Sequence, residues 1–203
     1  MFRFYHHSCN VLRKTSLLRF FSSDINSSLL TIEKSTIHKE CPPKEELLFG
    51  NTTTDHMLTI DWDIKNGWHA PEIKPYQTLN LDPAASVFHY GLECFEGMKA
   101  YLDHNNSIRL FRPEMNMKRM NSSMERLKLP TFNGNEFLNC IKELIKIDKS
   151  WIPQGKGYSL YIRPTGISTH PYIGVAPPEN AKLFVILSPV GPYYKTGFAP
   201  VQL

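Results

Sequence analysis

Hydrophobic and polar positions alternate most clearly in HMLTIDWD, His56 to Asp63, where Leu58, Ile60 and Trp62 share one side of a strand. Lys65-Asn66-Gly67 reads as a turn, and 70–82 as extended chain punctuated by prolines. Met98 to Leu102 and Ser107 to Phe111 read as two strands of a hairpin, joined by the turn chemistry of Asp103-His104-Asn105-Asn106. The period then changes. Met117, Met120, Met124 and Leu127 fall on one helical face after Pro113, and Pro130 is expected to end that helix. A second helix is expected from about Asn135 to Lys149, with Phe137, Ile141, Leu144 and Ile145 on its apolar side. Tyr158 to Arg163 reads as a strand, and Leu183 to Leu187, nearly all apolar, as a buried one. Antiparallel strands with two helices on one side predict an α+β domain.

The polar stretches set the boundaries. Residues 1–22 contain Arg3, Arg13, Lys14 and Arg19, and the first acid is Asp24. A cationic segment that mixes Phe, Leu and Arg has the character of a mitochondrial transit peptide; the alternative is a basic tail on a cytoplasmic protein. Residues 23–47, broken by Pro42-Pro43, read as a loosely ordered lead-in, and regular structure is expected from about Leu48. The domain then spans 48–190, and 191–203 has linker composition with the start of a further element.

Charge and composition exclude several classes. The 203 residues carry a formal charge of +4, from 23 basic and 19 acidic side chains. Without the four N-terminal cations the remainder is balanced, which argues against a nucleic-acid partner. No run approaches the length of a membrane span, so no membrane partner is expected. The four cysteines, at 9, 41, 94 and 140, show neither zinc nor paired-thiol spacing, and the eight histidines are scattered, so no metal site is expected. Reduced thiols in an intracellular compartment are the expectation. No nucleotide loop, zincin helix or nucleophile elbow is present.

The remaining polar groups sit beside turns and strand ends. They are His89-Tyr90-Gly91, Phe95-Glu96-Gly97-Met98-Lys99, Arg119 on the first helix, and Tyr161 with Arg163, two apart on one strand and so on one face. A hydroxyl beside a guanidinium suits a carboxylate, because both donate to an anion. A cross-strand tyrosine with a surface ion pair would give the same pattern.

Several segments in order carry a resemblance. HYGLECFEGMKAY (89–101), RLFRPEMNMKRM (109–120), SLYIRP (159–164) and LFVILSPVGPYY (183–194), with TDHMLTIDWD and IDKSWIP, resemble the branched-chain amino-acid aminotransferases, closest to the eukaryotic mitochondrial type. The resemblance covers roughly 48–203. It implies the small N-terminal α+β domain of a fold-type IV pyridoxal 5′-phosphate enzyme, a homodimer in the full-length family. It implies exchange of the amino group between leucine, isoleucine or valine and 2-oxoglutarate, giving branched 2-oxo acids and glutamate. On that resemblance Arg119 matches the cofactor-phosphate arginine, a guanidinium suited to bidentate phosphate contact. Tyr90 matches a tyrosine reaching the neighbouring subunit's site. Tyr161 and Arg163 match the pair at the substrate side-chain pocket. Phe49, Phe95 and Val175 match its apolar walls, and Tyr193 falls in the interdomain loop. No catalytic residue is assigned, because no segment matches the family's GNYK-like lysine motif; neither Lys99 nor Lys195 fits it. The expectation is an N-terminal portion, inactive alone and lacking the larger C-terminal domain. The alternatives are another fold-type IV enzyme, such as a D-amino-acid aminotransferase or an aminodeoxychorismate lyase, and a non-catalytic short form that binds a full-length subunit.

Overall fold

The computed structural model describes residues 24–192. The expected transit segment, Tyr193 and the start of a further element lie outside the described residues. Among the described residues, nine strands form one sheet. In chain order they are β1 (Thr31–Ile32), β2 (His56–Asp63), β3 (Gly67–Trp68), β4 (Glu72–Pro75), β5 (Glu93–Phe95), β6 (Met98–Leu102), β7 (Ile108–Leu110), β8 (Ser159–Ser168) and β9 (Asn180–Val190). The main path is β1-β4-β2-β9-β8-β6-β7, with β3 on β2 and β5 on β8. All of these pairs are antiparallel except β1 with β4, so the sheet is mixed.

Register gives the sheet two unlike faces. Leu58, Ile60, Met98, Ala100, Leu160, Ile162, Leu183, Val185 and Leu187 are all buried, and cross-strand pairs such as Ile162↔Leu187 and Met98↔Ile162 keep them on one side. Two helices cover that side. In α2 (Pro113–Arg126) the covering residues are Met117, Met120 and Met124, and in α3 (Gly134–Ile147) they are Phe137, Ile141, Leu144 and Ile145. The other face carries Tyr161, Arg163, Ile186 and Phe184, only half-buried, and it is the face of the candidate site.

The helix ends follow local chemistry. Asn133 caps α3 by accepting hydrogen bonds from the N–H groups of Asn135 (3.0 Å) and Glu136 (3.4 Å), so the helix starts one residue before the sequence expectation. Helix α2 stops at Arg126, ahead of Pro130. Lys128 adopts φ +60°, the Lys128 N–H donates to Glu125 O (3.1 Å) and the Leu129 N–H to Met124 O (2.9 Å), a Schellman ending that closes the last turn.

The structure differs from the sequence reading in several further places. Strand β8 continues to Ser168 through Pro164, and β9 begins at Asn180, because the two pair over ten residues. The five-residue helix α1 (Ser86–Tyr90), with β5 after it, occupies a stretch for which no element was expected. Of the expected extended stretch 70–82, only β4 forms a strand. Residues 24–47, expected to be loose, are held at several points. Ile25 enters the core at 2% exposure, Glu136 accepts from both the N–H and hydroxyl of Ser27, and β1 pairs with β4.

A buried polar network fixes the start of β2. His56 and Asp148 are both within the core, with His56 Nδ1 2.6 Å from Asp148 Oδ1, and the His56 N–H donates to Asp148 Oδ2 (3.1 Å). The Ser35 N–H donates to His56 Nε2 (2.8 Å). A backbone N–H can only donate, so Nε2 accepts and the ring proton sits on Nδ1, pointing at Asp148. Beside it, Asp55 accepts from the Lys39 N–H (2.9 Å) and from Trp151 Nε1 (3.2 Å).

Candidate functional site

The half-buried face of the sheet brings four of the sequence-predicted residues into one stack. Tyr161 and Arg163 project from alternate positions of β8. Arg163 Nε (3.0 Å) and Nη2 (2.8 Å) both donate to the Tyr161 hydroxyl oxygen. That oxygen therefore acts as acceptor, and its own proton remains to donate elsewhere. The Phe49 ring meets Tyr161 edge-on at 4.8 Å. Arg163 lies over the Phe95 ring at 4.1 Å. Phe49 and Phe95 remain 48% and 57% exposed, so they are not core residues of the described domain.

The link between β5 and β6 runs through this stack. A Cβ added at Gly97 would lie 2.5 Å from the Tyr161 hydroxyl oxygen, so position 97 has no room for a side chain while Tyr161 keeps its place. The Glu96 N–H donates to Pro164 O (3.0 Å), and the Glu96 side chain turns to α2. There Arg119 Nε bonds Oε1 (3.0 Å) and Nη2 bonds Oε2 (2.8 Å). These bonds push the high Arg119 pKa further up, first through the hydrogen bonds and then through the carboxylate charge. Asn116, one turn earlier and buried, donates to Glu96 Oε2 (2.8 Å) and Gly97 O (3.0 Å). Arg119 also lines a cleft of about 270 Å³ with Phe111, Arg112, Met115 and Asn116.

Tyr90 and Val175 stand apart from the stack. Tyr90 ends α1, where Gly91 takes φ +58°, and its hydroxyl donates to Ile173 O. Val175 follows two residues later in the chain and is 88% exposed. Phe88, Tyr90 and Ile173 are exposed as well. Tyr193 lies outside the described residues.

The sequence reading quoted Glu96 and Gly97 without giving either a role, and it missed Asn116. Its position three residues before Arg119, on the same helical face, is the signal that was available. Among the described residues no group of three or more His, Cys, Asp or Glu is placed to hold a metal ion, and no helix is long and apolar enough to cross a membrane.

Comparison with known proteins gives this geometry its class. No family model matches the chain. Among solved structures, an Escherichia coli branched-chain amino acid aminotransferase superposes with TM-score 0.52 at 22% identity, over 66% of this chain and 40% of that one. That likeness concerns the fold. A T.th. branched-chain amino acid aminotransferase, solved with pyridoxamine 5′-phosphate, superposes with TM-score 0.51 at 28% identity, over 66% of this chain and 40% of that one. The mixed sheet with its two covering helices is thus an α+β domain found in part of these aminotransferase structures.

Sequence likeness is closer. The cytosolic branched-chain-amino-acid aminotransferase of Saccharomyces cerevisiae is 58% identical over 170 residues, 83% of this chain and 45% of that protein. The mitochondrial one of the same yeast is 54% identical over 179 residues, 88% of this chain and 46% of that protein. Branched-chain-amino-acid aminotransferase 2 of Bacillus subtilis is 47% identical over 174 residues, 86% of this chain and 48% of that protein. The chain is therefore similar to branched-chain-amino-acid aminotransferases over most of its own length, and it spans a little under half the length of these relatives.

Proposed function

We propose that this chain is the small domain of a branched-chain amino-acid transaminase and supplies part of a site that exchanges the amino group between leucine, isoleucine or valine and 2-oxoglutarate. The observation that carries the reading is the Phe49–Tyr161–Arg163–Phe95 stack, joined through Glu96 to Arg119, in a chain 58% identical to the yeast cytosolic relative. An aliphatic side chain would meet the two phenyl rings. The γ-carboxylate of glutamate would meet the Tyr161 hydroxyl and the Arg163 guanidinium. While no carboxylate is there, the Phe95 ring face offsets part of the cost of the half-buried cation.

The cofactor implied is pyridoxal 5′-phosphate, which supplies an electron sink for a carbanion at the substrate Cα. The residues present suit its phosphate. Glu96 engages the Nε/Nη2 edge of Arg119, which is 58% exposed, and the Nη1/Nη2 end of the guanidinium stays available at the cleft. A phosphate group would take that end in a two-point contact. No GNYK-like lysine segment occurs in the 203 residues, so we expect the chain alone to bind and orient rather than to turn over. Tyr90 and the exposed Phe88, Ile173 and Val175 support assembly with a second subunit, either a like copy or a full-length form. Residues 1–22, basic and free of acids, support delivery to the mitochondrial matrix, with the cytoplasm as the alternative.

The test is a chimera in which this chain replaces the matched segment of the yeast cytosolic relative. Transfer of the amino group from leucine to 2-oxoglutarate is expected, and Arg163→Met is expected to raise the KM for 2-oxoglutarate far more than that for leucine. A folded chimera without transamination would overturn the proposal.

A further inference from the structure

We infer that Glu96 is the positioning residue for Arg119, holding the guanidinium so that its free end is presented to a phosphate group. The inference rests on the reading that Arg119 meets the cofactor phosphate, and it assigns the anchoring to a residue of this chain that does not itself touch the ligand.

Three observations carry it. First, Glu96 is fixed before Arg119 is considered. Its N–H is bonded to Pro164 O of β8 (3.0 Å), its carboxylate accepts from Asn116 Nδ2 (2.8 Å), and the same Asn116 nitrogen bonds the next carbonyl, Gly97 O (3.0 Å). Second, the contact with Arg119 is two-point, at 3.0 and 2.8 Å, so it sets the plane of the guanidinium as well as its place. Third, the exposures are unequal: the Glu96 side chain is 14% exposed and that of Arg119 58%. The less exposed partner is the anchor and the more exposed one the presented group.

The geometry also links the two halves of the candidate site. Gly97, directly after Glu96, is the residue against which the Tyr161 hydroxyl rests. The dipeptide therefore sets the spacing between the phosphate arm and the carboxylate clamp. Two effects of Glu96 oppose each other. Its charge repels a phosphate, while its two acceptors remove the rotational freedom that a long arginine would otherwise lose on binding. Arg112, exposed on the same cleft, contributes a second positive charge against the repulsion. The inference is that anchoring outweighs repulsion.

The experiment uses the 203-residue chain, labelled with nitrogen-15, and follows the arginine Nε–H signals. In the unsubstituted protein the Arg119 Nε–H is expected to be shifted by the carboxylate and to exchange slowly with water; Glu96→Ala should abolish both features and Glu96→Gln retain the slow exchange in part. Inorganic phosphate, pyridoxamine 5′-phosphate and pyridoxamine are then titrated at constant ionic strength. Saturable shifts with the two phosphate compounds are expected, weakened about fivefold or more by Glu96→Ala and less by Glu96→Gln, as loss of preorganisation requires. Equal or tighter phosphate binding by Glu96→Ala would overturn the inference and leave the assignment of Arg119 standing. No saturable response in the unsubstituted protein would overturn that assignment, and this inference with it. Phosphate binding without preference for pyridoxamine 5′-phosphate would support the positioning role and count against the cofactor reading.

Discussion

Replacing His56 with alanine tests the buried network that ties 24–47 and the end of α3 to the central strand. The ring is 3% exposed and its Nδ1 lies 2.6 Å from an Asp148 carboxylate that is 2% exposed. A hydrogen bond to a charged group contributes about 1.5–3 kcal/mol net. Removing the ring also removes its buried apolar area, about 1 kcal/mol more. The Ser35 N–H, which loses its acceptor, lies at a half-buried position where water replaces the bond, and adds little. The expected loss is about 2.5–4 kcal/mol, a large part of the roughly 5–15 kcal/mol that holds a domain together. Urea unfolding of the chain at pH 7, followed by tryptophan fluorescence, measures it. Asp148→Asn keeps an acceptor for the ring proton but turns its NH2 group towards the His56 backbone N–H, which loses its acceptor, so it is expected to cost about 1.5–3 kcal/mol. The double variant completes a cycle whose coupling should be about 1.5–3 kcal/mol. A His56→Ala loss below about 1 kcal/mol, or a coupling near zero, would refute the account of the network.

Asp55 predicts a pH dependence. Burial pushes its carboxyl up, but the bonds from the Lys39 N–H, His38 and Trp151 together outweigh this and hold it below the usual range. A depressed pKa gives stability that is present above about pH 4, the unfolded value, and is lost as pH falls through the folded value. Asp55→Asn should therefore destabilise at pH 7 and converge with the unsubstituted protein as pH falls through the lowered folded value in urea titrations; a gap that stays constant with pH would contradict this. Lys128 ends α2 with φ +60°, a conformation glycine adopts without steric cost, so Lys128→Gly should raise stability by about 1 kcal/mol in the same assay. Gly97→Ala should move the Tyr161 hydroxyl, cost about 1–3 kcal/mol by overpacking, and raise the KM for 2-oxoglutarate in the chimera. Unchanged stability and KM would show that Tyr161 is not seated on Gly97.

What the sequence by itself determined was local. The alternation at Leu58, Ile60 and Trp62 placed β2 to the residue, and the spacing of Met117, Met120 and Met124 placed the inward side of α2. Tyr161 and Arg163 were put on one face by their separation of two, and the stack bears that geometry out. Resemblance supplied the candidate roles. The tertiary structure decided what depends on residues far apart in the chain. Arg119 meets Glu96 across 23 positions, and His56 meets Asp148 across 92. A single acid at either place has no local signature, because its partner is selected by strand register and helix docking. The anchoring of 24–47 was hidden for the same reason. Its composition is that of a loop, and its order comes from β4 and α3, which meet it only after the sheet has formed. Periodicity follows from backbone geometry and can be read along the chain; the pairing of charged side chains follows from the packed fold.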